Sequence, residues 1–322
     1  ILELTKVNYP IGLQLWLFLA FFAAFAVKMP MFPIHTWLPD AHTEAPTAGS
    51  VILAGILLKM GAYGFLRFSL PMFPLAVNML FIPLLILSVT AIIYGAYVTL
   101  MQNDIKRLIA YSSVSHMGFV TLGIFTLNQT GIEGGILQMI NHGIITGGLF
   151  LCIGMLYERT HTRMIEDYGG LFKTVPVYMT FFTIFTLAAI GFPGLNAFVG
   201  EFLIISGAFK ANMAIATFSI IGIVLGTFYM VSLYYRVGLN EINSSTKPNL
   251  FDLELREIAT LMPLVVLIFL IGLQPEILLS YMHVSVEHLL EQIHTSPIIE
   301  DYNISDSVHL MVQNLKKYFI GG

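Results

Sequence analysis

Apolar runs long enough to cross a lipid bilayer recur along most of this chain of 322 residues. A membrane-spanning helix needs about 20 predominantly apolar residues, because the hydrocarbon layer is about 30 Å thick. Only 11% of the residues are charged, whereas soluble domains carry about 25%. The pattern therefore predicts an all-α polytopic membrane protein.

Polar breaks between the apolar runs delimit eight predicted spans. They lie at about 10–34, 46–68, 75–101, 107–127, 131–156, 175–209, 213–238 and 256–281. The first and the sixth are unusually long, and proline or glycine interrupts each of them. Beyond them we predict a polar tail with the amphipathic segments VEHLLEQI and VHLMVQNLKKYF, which lies on the membrane surface.

The lysines and arginines of the short loops predict the orientation, because loops rich in these residues stay on the cytoplasmic side. We call one side the basic side, since it collects Lys106, Arg107, Arg159, Arg163, Lys173, Arg236, Lys247 and Arg256. The other, the outer side, has only Arg67 and Lys210 near its span ends. The basic side is expected to face the cytoplasm or the mitochondrial matrix.

Several function classes find no support in the composition. The net charge of −4 is small and scattered, so nothing indicates nucleic-acid binding. The single cysteine, Cys152, cannot supply the thiolates of an iron–sulfur cluster. Neither a dinucleotide-binding G-x-G-x-x-G after a strand nor a phosphate loop is present. We therefore expect no cofactor on this chain and redox chemistry, if any, on other chains.

Five titratable side chains inside predicted spans are the candidates for function: Lys28, Lys59, His116, His142 and Glu201. A charge at the bilayer centre costs at least about 2.5–3.5 kcal/mol. Poor solvation and neighbouring charges bring the titration of such groups toward neutrality. Proton relays of membrane pumps need groups of this kind, and the set predicts such a relay.

Structural readings of the same residues remain open. Lys28 can extend its aliphatic stem toward an interface and keep its ammonium in water. His142, beside Asn141, fits a hydrogen-bonded core residue. Glu201 fits an ion pair with a lysine that only holds two helices together.

The two interrupted spans break close to these charges. Pro30 and Pro33 follow Lys28, and the GFPG segment at 191–194 shortly precedes Glu201. Broken helices at membrane depth are tolerated where they are buried or line a wet cavity, and paired ones mark transporter sites. This predicts an inverted-repeat transporter with the first and sixth spans as counterparts.

We also expect three hydroxyls around His116 to hold water between the proton carriers: Ser112, Ser113 and Ser115.

Four long motifs carry a resemblance to a known family. They are FAVKMPMFPIHTWLPDAHTEAPTAGSVILAGILLKMGAYGFLRFSLPMFP, IKRLIAYSSVSHMGFVTLGIF, INHGIITGGLFLCIGMLYERTHTR and FPGLNAFVGEFLIISGAF. Over about residues 10–285 the chain resembles the subunit 4 family (chain M in bacteria) of proton-pumping NADH:quinone oxidoreductase, respiratory complex I. The resemblance implies the antiporter-like subunit fold of fourteen helices with two inverted five-helix repeats, two helices being broken.

The resemblance also implies a division of the chain and a role for each candidate. The parts are 1–70, the end of the first repeat; 71–240, the second repeat; 241–281, the final transmembrane helix; and 282–322, the tail. Lys28 matches the central proton carrier of the first half-channel, and Lys59 the lysine that passes protons laterally. His116 and His142 match the central hydrophilic axis, and Glu201 matches the acid of the exit half-channel.

The chain departs from the family because its eight spans match only helices seven to fourteen. The family's partner for Lys28 is a glutamate on the fifth helix, which has no match here. An unpaired buried charge costs several kcal/mol, on the order of 3–5. Either this sequence is a fragment of a longer chain or a separate polypeptide supplies the first six helices, and we expect the separate polypeptide. The tail is longer than the family leads us to expect.

The function implied is that of a proton-translocating membrane-arm subunit of complex I. Other subunits would carry FMN and iron–sulfur clusters, bind ubiquinone and transfer the electrons from NADH. Two alternatives are an Mrp-type cation/proton antiporter subunit and a purely structural membrane-arm subunit. The expected location is the mitochondrial inner membrane, with the bacterial plasma membrane as the alternative.

Overall fold

The computed structural model describes residues 9–241 and 250–294, together with residues 4 and 7. In these ranges the chain folds into helices and turns, with one isolated bridge between Asp104 and Met164. The principal helices are α1 (Ile11–Lys28), α2 (Trp37–Glu44), α3 (Thr47–Met72), α4 (Pro74–Met79), α5 (Phe81–Leu100), α6 (Ile105–Phe125), α7 (Gln129–Thr160), α8 (Pro176–Ile190), α9 (Asn196–Ala211), α10 (Met213–Leu239), α11 (Leu255–Leu273) and α12 (Glu276–His294).

Seven of the described helices are long and apolar enough to cross a bilayer: α1, α3, α5, α6, α7, α10 and α11. Helix α8 is apolar but has only 15 residues. The prediction of an all-helical polytopic membrane protein is confirmed.

The sixth predicted span consists of two helices. Helix α8 ends at Ile190 and α9 begins at Asn196. Gly191 and Gly194 between them have φ angles of +76° and +89°. Only glycine adopts such left-handed backbone without a steric cost. The GFPG segment therefore breaks the span, as predicted.

The first predicted span is also broken. Helix α1 ends at Lys28, and the chain resumes helical geometry in α2 at Trp37. The indole nitrogen of Trp37 donates to the carbonyl oxygen of Val27 at 3.0 Å, which holds the start of α2 near the end of α1. The break lies directly after Lys28.

Helices α6 and α7 form the centre of the described bundle. In their most apolar windows 94% and 78% of the residues are buried, against 17% in α1 and 28% in α10 and α11. These two central helices carry His116 and His142. The two histidines are therefore shielded by other helices, whereas α1, α10 and α11 present broad apolar faces outward.

The hydrogen bonds and ion pairs of the cations agree with their predicted grouping on two opposite sides. On the basic side Arg159 binds Glu257 through two hydrogen bonds of 2.9 and 2.6 Å, and Arg163 lies 3.4 Å from Asp104. At the opposite end of α7 and α9, Lys210 donates to a threonine hydroxyl at 2.8 Å. Lys247 lies outside the described residues.

The last span ends earlier than the predicted residue 281. Helix α11 ends at Leu273, and Gln274 (φ −133°, ψ 63°) precedes Pro275. A residue before proline avoids the helical region, and proline has no N–H for a helical hydrogen bond. A separate helix, α12, begins at Glu276 and packs on α7. It contains VEHLLEQI, whereas VHLMVQNLKKYF lies outside the described residues.

Candidate proton-transfer site

Lys59 and His142 form the first contact of the site. The Nζ atom of Lys59 lies 2.6 Å from Nδ1 of His142 and also donates to the carbonyl oxygen of Ala54. Lys59 follows a wide, π-helical turn at Leu53–Leu57, a geometry often found at functional sites. Since an ammonium has no acceptor, Nδ1 of a neutral imidazole accepts this hydrogen bond.

His116 and Glu201 form the second contact. Nδ1 of His116 lies 3.3 Å from a carboxylate oxygen of Glu201, and both side chains are buried. The same carboxylate oxygen accepts a hydrogen bond of 3.2 Å from Gln138. The other ring nitrogen, Nε2, lies 3.2 Å from the hydroxyl of Tyr229. The Glu201 carboxylate is therefore bound by a histidine and an amide, not by a lysine.

A small cavity adjoins both histidines. Their ring centroids are 5.9 Å apart. The cavity has a volume of about 10 Å³, and its polar lining includes Ser112, Gln138 and Thr146. This is about the volume that one water molecule requires. Nε2 of His142 is buried and has no hydrogen-bond partner in the described part of the chain, so it is free to bind water.

The three predicted serines do not act alike. Ser112 and Ser113 donate to the carbonyl oxygen of Ile109, and Ser115 donates to that of Ile92 on α5. Of the three, only Ser112 lines the cavity beside His116. Each of the three hydroxyls keeps its acceptor lone pairs for water, so the expectation that all three hold water stays a prediction.

A hydrogen bond from α7 and two glycines near the start of α9 position the Glu201 carboxylate. Asn141 on α7 donates to the carbonyl oxygen of Asn196 at 2.8 Å and so holds the start of α9. A Cβ atom on Gly191 would lie only 2.9 Å from a carboxylate oxygen of Glu201. On Gly200 it would lie 2.4 Å from the side-chain oxygen of Gln138. Both glycines therefore leave room for the polar cluster.

The structure does not bring Lys28 into contact with the other four candidates. It is half-buried at the end of α1 and makes no hydrogen bond or ion pair with any described residue. The other four candidates lie in one row, in the order Lys59, His142, His116 and Glu201.

Three further polar residues belong to the site, although the sequence did not single them out. Tyr229 and Gln138 are buried and bind His116 and Glu201. His42 is fully buried, stacks on Phe150 with ring centroids 4.6 Å apart, and leaves both ring nitrogens without a partner among the described residues. For Tyr229 and Gln138 the only signal is a polar side chain in an apolar surrounding, which most core residues of this kind share. His42 lies in the polar segment PDAHTE and lacks even that signal.

His42 lies between the row and the basic side. It is within electrostatic reach of Lys59 and of Lys106. A cavity of about 510 Å³ on the basic side is lined by Phe150, the ring on which His42 stacks, and by charged residues. These are Glu44, Lys106, Glu158 and Arg163. Charged groups therefore line a cavity that adjoins Phe150, the ring on which His42 stacks.

Comparison with known proteins places the chain in a family. Residues 1–228 match the family described as NADH:quinone oxidoreductase/Mrp antiporter, transmembrane. NADH-quinone oxidoreductase subunit M of Rhodobacter capsulatus is 52% identical over 283 residues, which cover 88% of this chain and 55% of that protein. NADH-ubiquinone oxidoreductase chain 4 of Marchantia polymorpha is also 52% identical over 283 residues, with 86% and 56% covered.

Solved structures agree on the fold. A chain of respiratory complex I from Thermus thermophilus with bound NADH superimposes with a TM-score of 0.82 at 35% identity, covering 87% of this chain and 59% of that one. A chain of the Mrp complex from Dietzia sp. DQ12-45-1b reaches 0.75 at 20% identity, covering 86% and 59%, and supports the fold alone. The chain spans about half the length of the curated relatives it matches. The expected antiporter-like fold is confirmed, and the chain belongs to the transmembrane family of NADH:quinone oxidoreductase and Mrp antiporter subunits.

Proposed function

We propose that this chain translocates protons as a membrane-arm subunit of an NADH:quinone oxidoreductase of the complex I type. The observation that carries the proposal is the row of titratable side chains through the centre of the bundle. Lys59 contacts His142, and His116 contacts Glu201. A cavity the size of one water lies between the two pairs.

The geometry supports proton transfer along the row in defined steps. The Lys59 ammonium donates to Nδ1 of His142, and the second nitrogen of that ring lies near the cavity. A proton accepted at Nδ1 permits release from Nε2, because the two nitrogens of imidazole exchange roles on protonation. One water bridges the gap to His116, whose Nε2 takes up the proton as the Tyr229 hydroxyl turns from donor to acceptor, and His116 then releases its Nδ1 proton to Glu201.

Tyr229 controls the step onto His116 in this proposal. Both nitrogens of His116 are engaged, one by Glu201 and one by the Tyr229 hydroxyl. A hydroxyl is both donor and acceptor, so Tyr229 can stabilise the neutral or the protonated ring by rotating. The imidazole therefore stays hydrogen-bonded in both protonation states.

We place the proton intake on the basic side, through His42. Its two buried and unpartnered nitrogens provide sites for protons or water between the charged cavity and Lys59. A buried polar group without a partner costs about 1–3 kcal/mol, so its place in a core needs an explanation. Transfer of protons supplies one.

For Lys28, the proposal requires a partner that lies outside the described residues. A half-buried ammonium without a counter-charge is costly, and the relatives are nearly twice as long as the matched region. We propose that a carboxylate from a segment outside the described residues pairs with Lys28. Lys28 then acts as the carrier of a first half-channel.

The remaining parts of the proposal concern the whole complex. The relatives are named as subunits of NADH-quinone and NADH-ubiquinone oxidoreductases. We therefore assign electron transfer, FMN, iron–sulfur clusters and ubiquinone binding to partner subunits. The chain is a membrane protein, and we propose the mitochondrial inner membrane as its location, with the bacterial plasma membrane as the alternative.

The test removes one proton carrier at a time from the assembled complex. Glu201→Gln keeps the shape of the side chain and removes its titration, and Lys28→Ala removes the ammonium. Both variants are expected to assemble and to lose NADH-driven proton uptake into vesicles. Lys210→Gln, which changes an exposed lysine on the outer side, is the matched control. Proton pumping at wild-type stoichiometry in Glu201→Gln would contradict the proposal.

An Mrp-type antiporter subunit is the second candidate, because a chain of an Mrp complex shares the fold. The identity of 20% is far below the 52% to oxidoreductase subunits. Copurification with flavin- and iron–sulfur-containing subunits excludes it. A structural subunit, the third candidate, predicts that Lys59 and Glu201 tolerate apolar replacement without loss of pumping.

A further inference from the structure

A groove of about 450 Å³ lies on the outer side, between α12 and the outer ends of α3 and α7. This volume is typical of sites that bind small ligands, about 300–1,000 Å³. We call it the outer groove. Its lining is largely apolar and includes Leu66, Ile136 and Met139 on one wall and Val286 and Leu289 on the opposite wall, which α12 forms.

Arg67 is the uncompensated cation of the outer groove. It is exposed and has no hydrogen bond or ion pair with any residue of the described ranges. His288, on the opposite wall, lies 3.6 Å from Glu291 and so has its own acidic neighbour. Lys210, the other outer-side cation identified from the sequence, donates to Thr130. On this cation-poor side, an arginine without a partner in the described ranges is available to an anionic ligand.

We propose that the outer groove binds one acidic phospholipid, with its phosphate on Arg67 and an acyl chain along the apolar wall. The planar guanidinium binds phosphate through two parallel hydrogen bonds. Tyr63, exposed on the same wall, is a residue type enriched at the membrane–water interface.

The second wall of the groove is held in place by a contact between a half-exposed histidine and a buried carboxylate. His283 on α12 lies 2.7 Å from the carboxylate of Glu133 on α7, and the exposed Glu276 lies 3.5 Å from its other nitrogen. Gln129 donates to the same Glu133 oxygen at 2.9 Å. Because α12 is fixed to α7 through these contacts, the groove is part of the folded chain.

The experiment uses the assembled complex in phosphatidylcholine vesicles with a minor fraction of photoactivatable phosphatidylglycerol. Cross-linked peptides are expected to include residues 63–71 of α3 and residues 285–292 of α12. Arg67→Gln should reduce this labelling about fivefold, the effect of one basic residue near a membrane surface. The matched control Lys210→Gln should leave it unchanged.

Wild-type complex provides a second measurement that does not depend on a variant. Excess unlabelled phosphatidylglycerol should displace the photoactivatable lipid, whereas phosphatidylcholine should not. Equal labelling by a photoactivatable phosphatidylcholine, or unchanged labelling of Arg67→Gln, would overturn the proposal. So would a cross-link showing that residues 295–322 or a neighbouring subunit occupies the groove.

Discussion

The Nζ atom of Lys59 lies 2.6 Å from Nδ1 of His142, although 83 residues separate the two in the chain. The approach of α3 to α7 makes this contact possible. A Cβ atom on Gly143 would lie 2.8 Å from the carbonyl oxygen of Gly55. Two glycines at the crossing therefore bring the helices close enough for the lysine to reach the imidazole.

His142→Gln is expected to reduce proton pumping at least about tenfold, because glutamine accepts the hydrogen bond of Lys59 but takes up no proton. The measurement is proton uptake per NADH oxidised in vesicles. The control is His161→Gln, since His161 is an exposed histidine directly after the same helix. Equal pumping by both variants would remove His142 from the relay.

Tyr229→Phe removes the hydroxyl that binds Nε2 of His116. A buried group that loses its partner costs about 1–3 kcal/mol, so the pumping rate should fall severalfold while the complex still assembles. Tyr235→Phe alters an exposed tyrosine in the same helix and serves as the control. If the two variants pump equally fast, the tyrosine hydroxyl has no part in the transfer.

Gly191→Ala should disturb the site through two separate effects. The left-handed backbone disfavours alanine by about 1 kcal/mol, and the new methyl group would press on the Glu201 carboxylate. Gly194→Ala isolates the first effect, since φ there is +89° and a Cβ atom meets nothing within 4 Å. We expect both variants to lower the thermal stability and only Gly191→Ala to reduce pumping. Equal pumping defects would show that backbone strain alone matters.

The contact of His283 with Glu133 predicts a pH-dependent attachment of α12. The hydrogen bond to the Glu133 carboxylate, with a contribution from Glu276, raises the pKa of His283 above its ordinary value. The stabilisation is therefore complete below that ordinary value, about pH 6.5, and is lost as the pH rises through the raised pKa. Acidity strengthens the contact.

Hydrogen exchange of the α12 amides, corrected for the intrinsic effect of pH, measures this attachment. Protection should decrease in the wild type between about pH 6 and about pH 9, whereas His283→Gln should show little change over that range. His288→Gln, which alters the other described α12 histidine contacting a carboxylate, should behave like the wild type. An unchanged pH dependence in His283→Gln would rule out the pair as its source.

Features that depend on local composition were predictable. The helical membrane class, the breaks after Lys28 and before Glu201, and the grouping of cations on one side follow from apolar length, proline and glycine, and loop charge. Each of these properties is decided within about 20 neighbouring residues. The structure agrees with them for that reason.

Contacts between distant residues were not predictable from one sequence. A tyrosine or glutamine in an apolar run has the same local signature whether it faces a proton carrier or an ordinary core, so Tyr229 and Gln138 were missed. The hydroxyl of Ser115 donates to the carbonyl oxygen of Ile92 on α5, a partner that the local sequence does not indicate. This partner depends on which helix lies beside α6.

The amino-acid sequence by itself determined that this chain enters a membrane, where its helices break, and which titratable side chains lie inside its apolar spans. Only the tertiary structure decided the order of these side chains, from Lys59 through His142 and His116 to Glu201. It also showed that Lys28 lies apart from this row. Proton transfer requires donor and acceptor within hydrogen-bond distance. Helix packing sets that distance through side chains far apart in the chain.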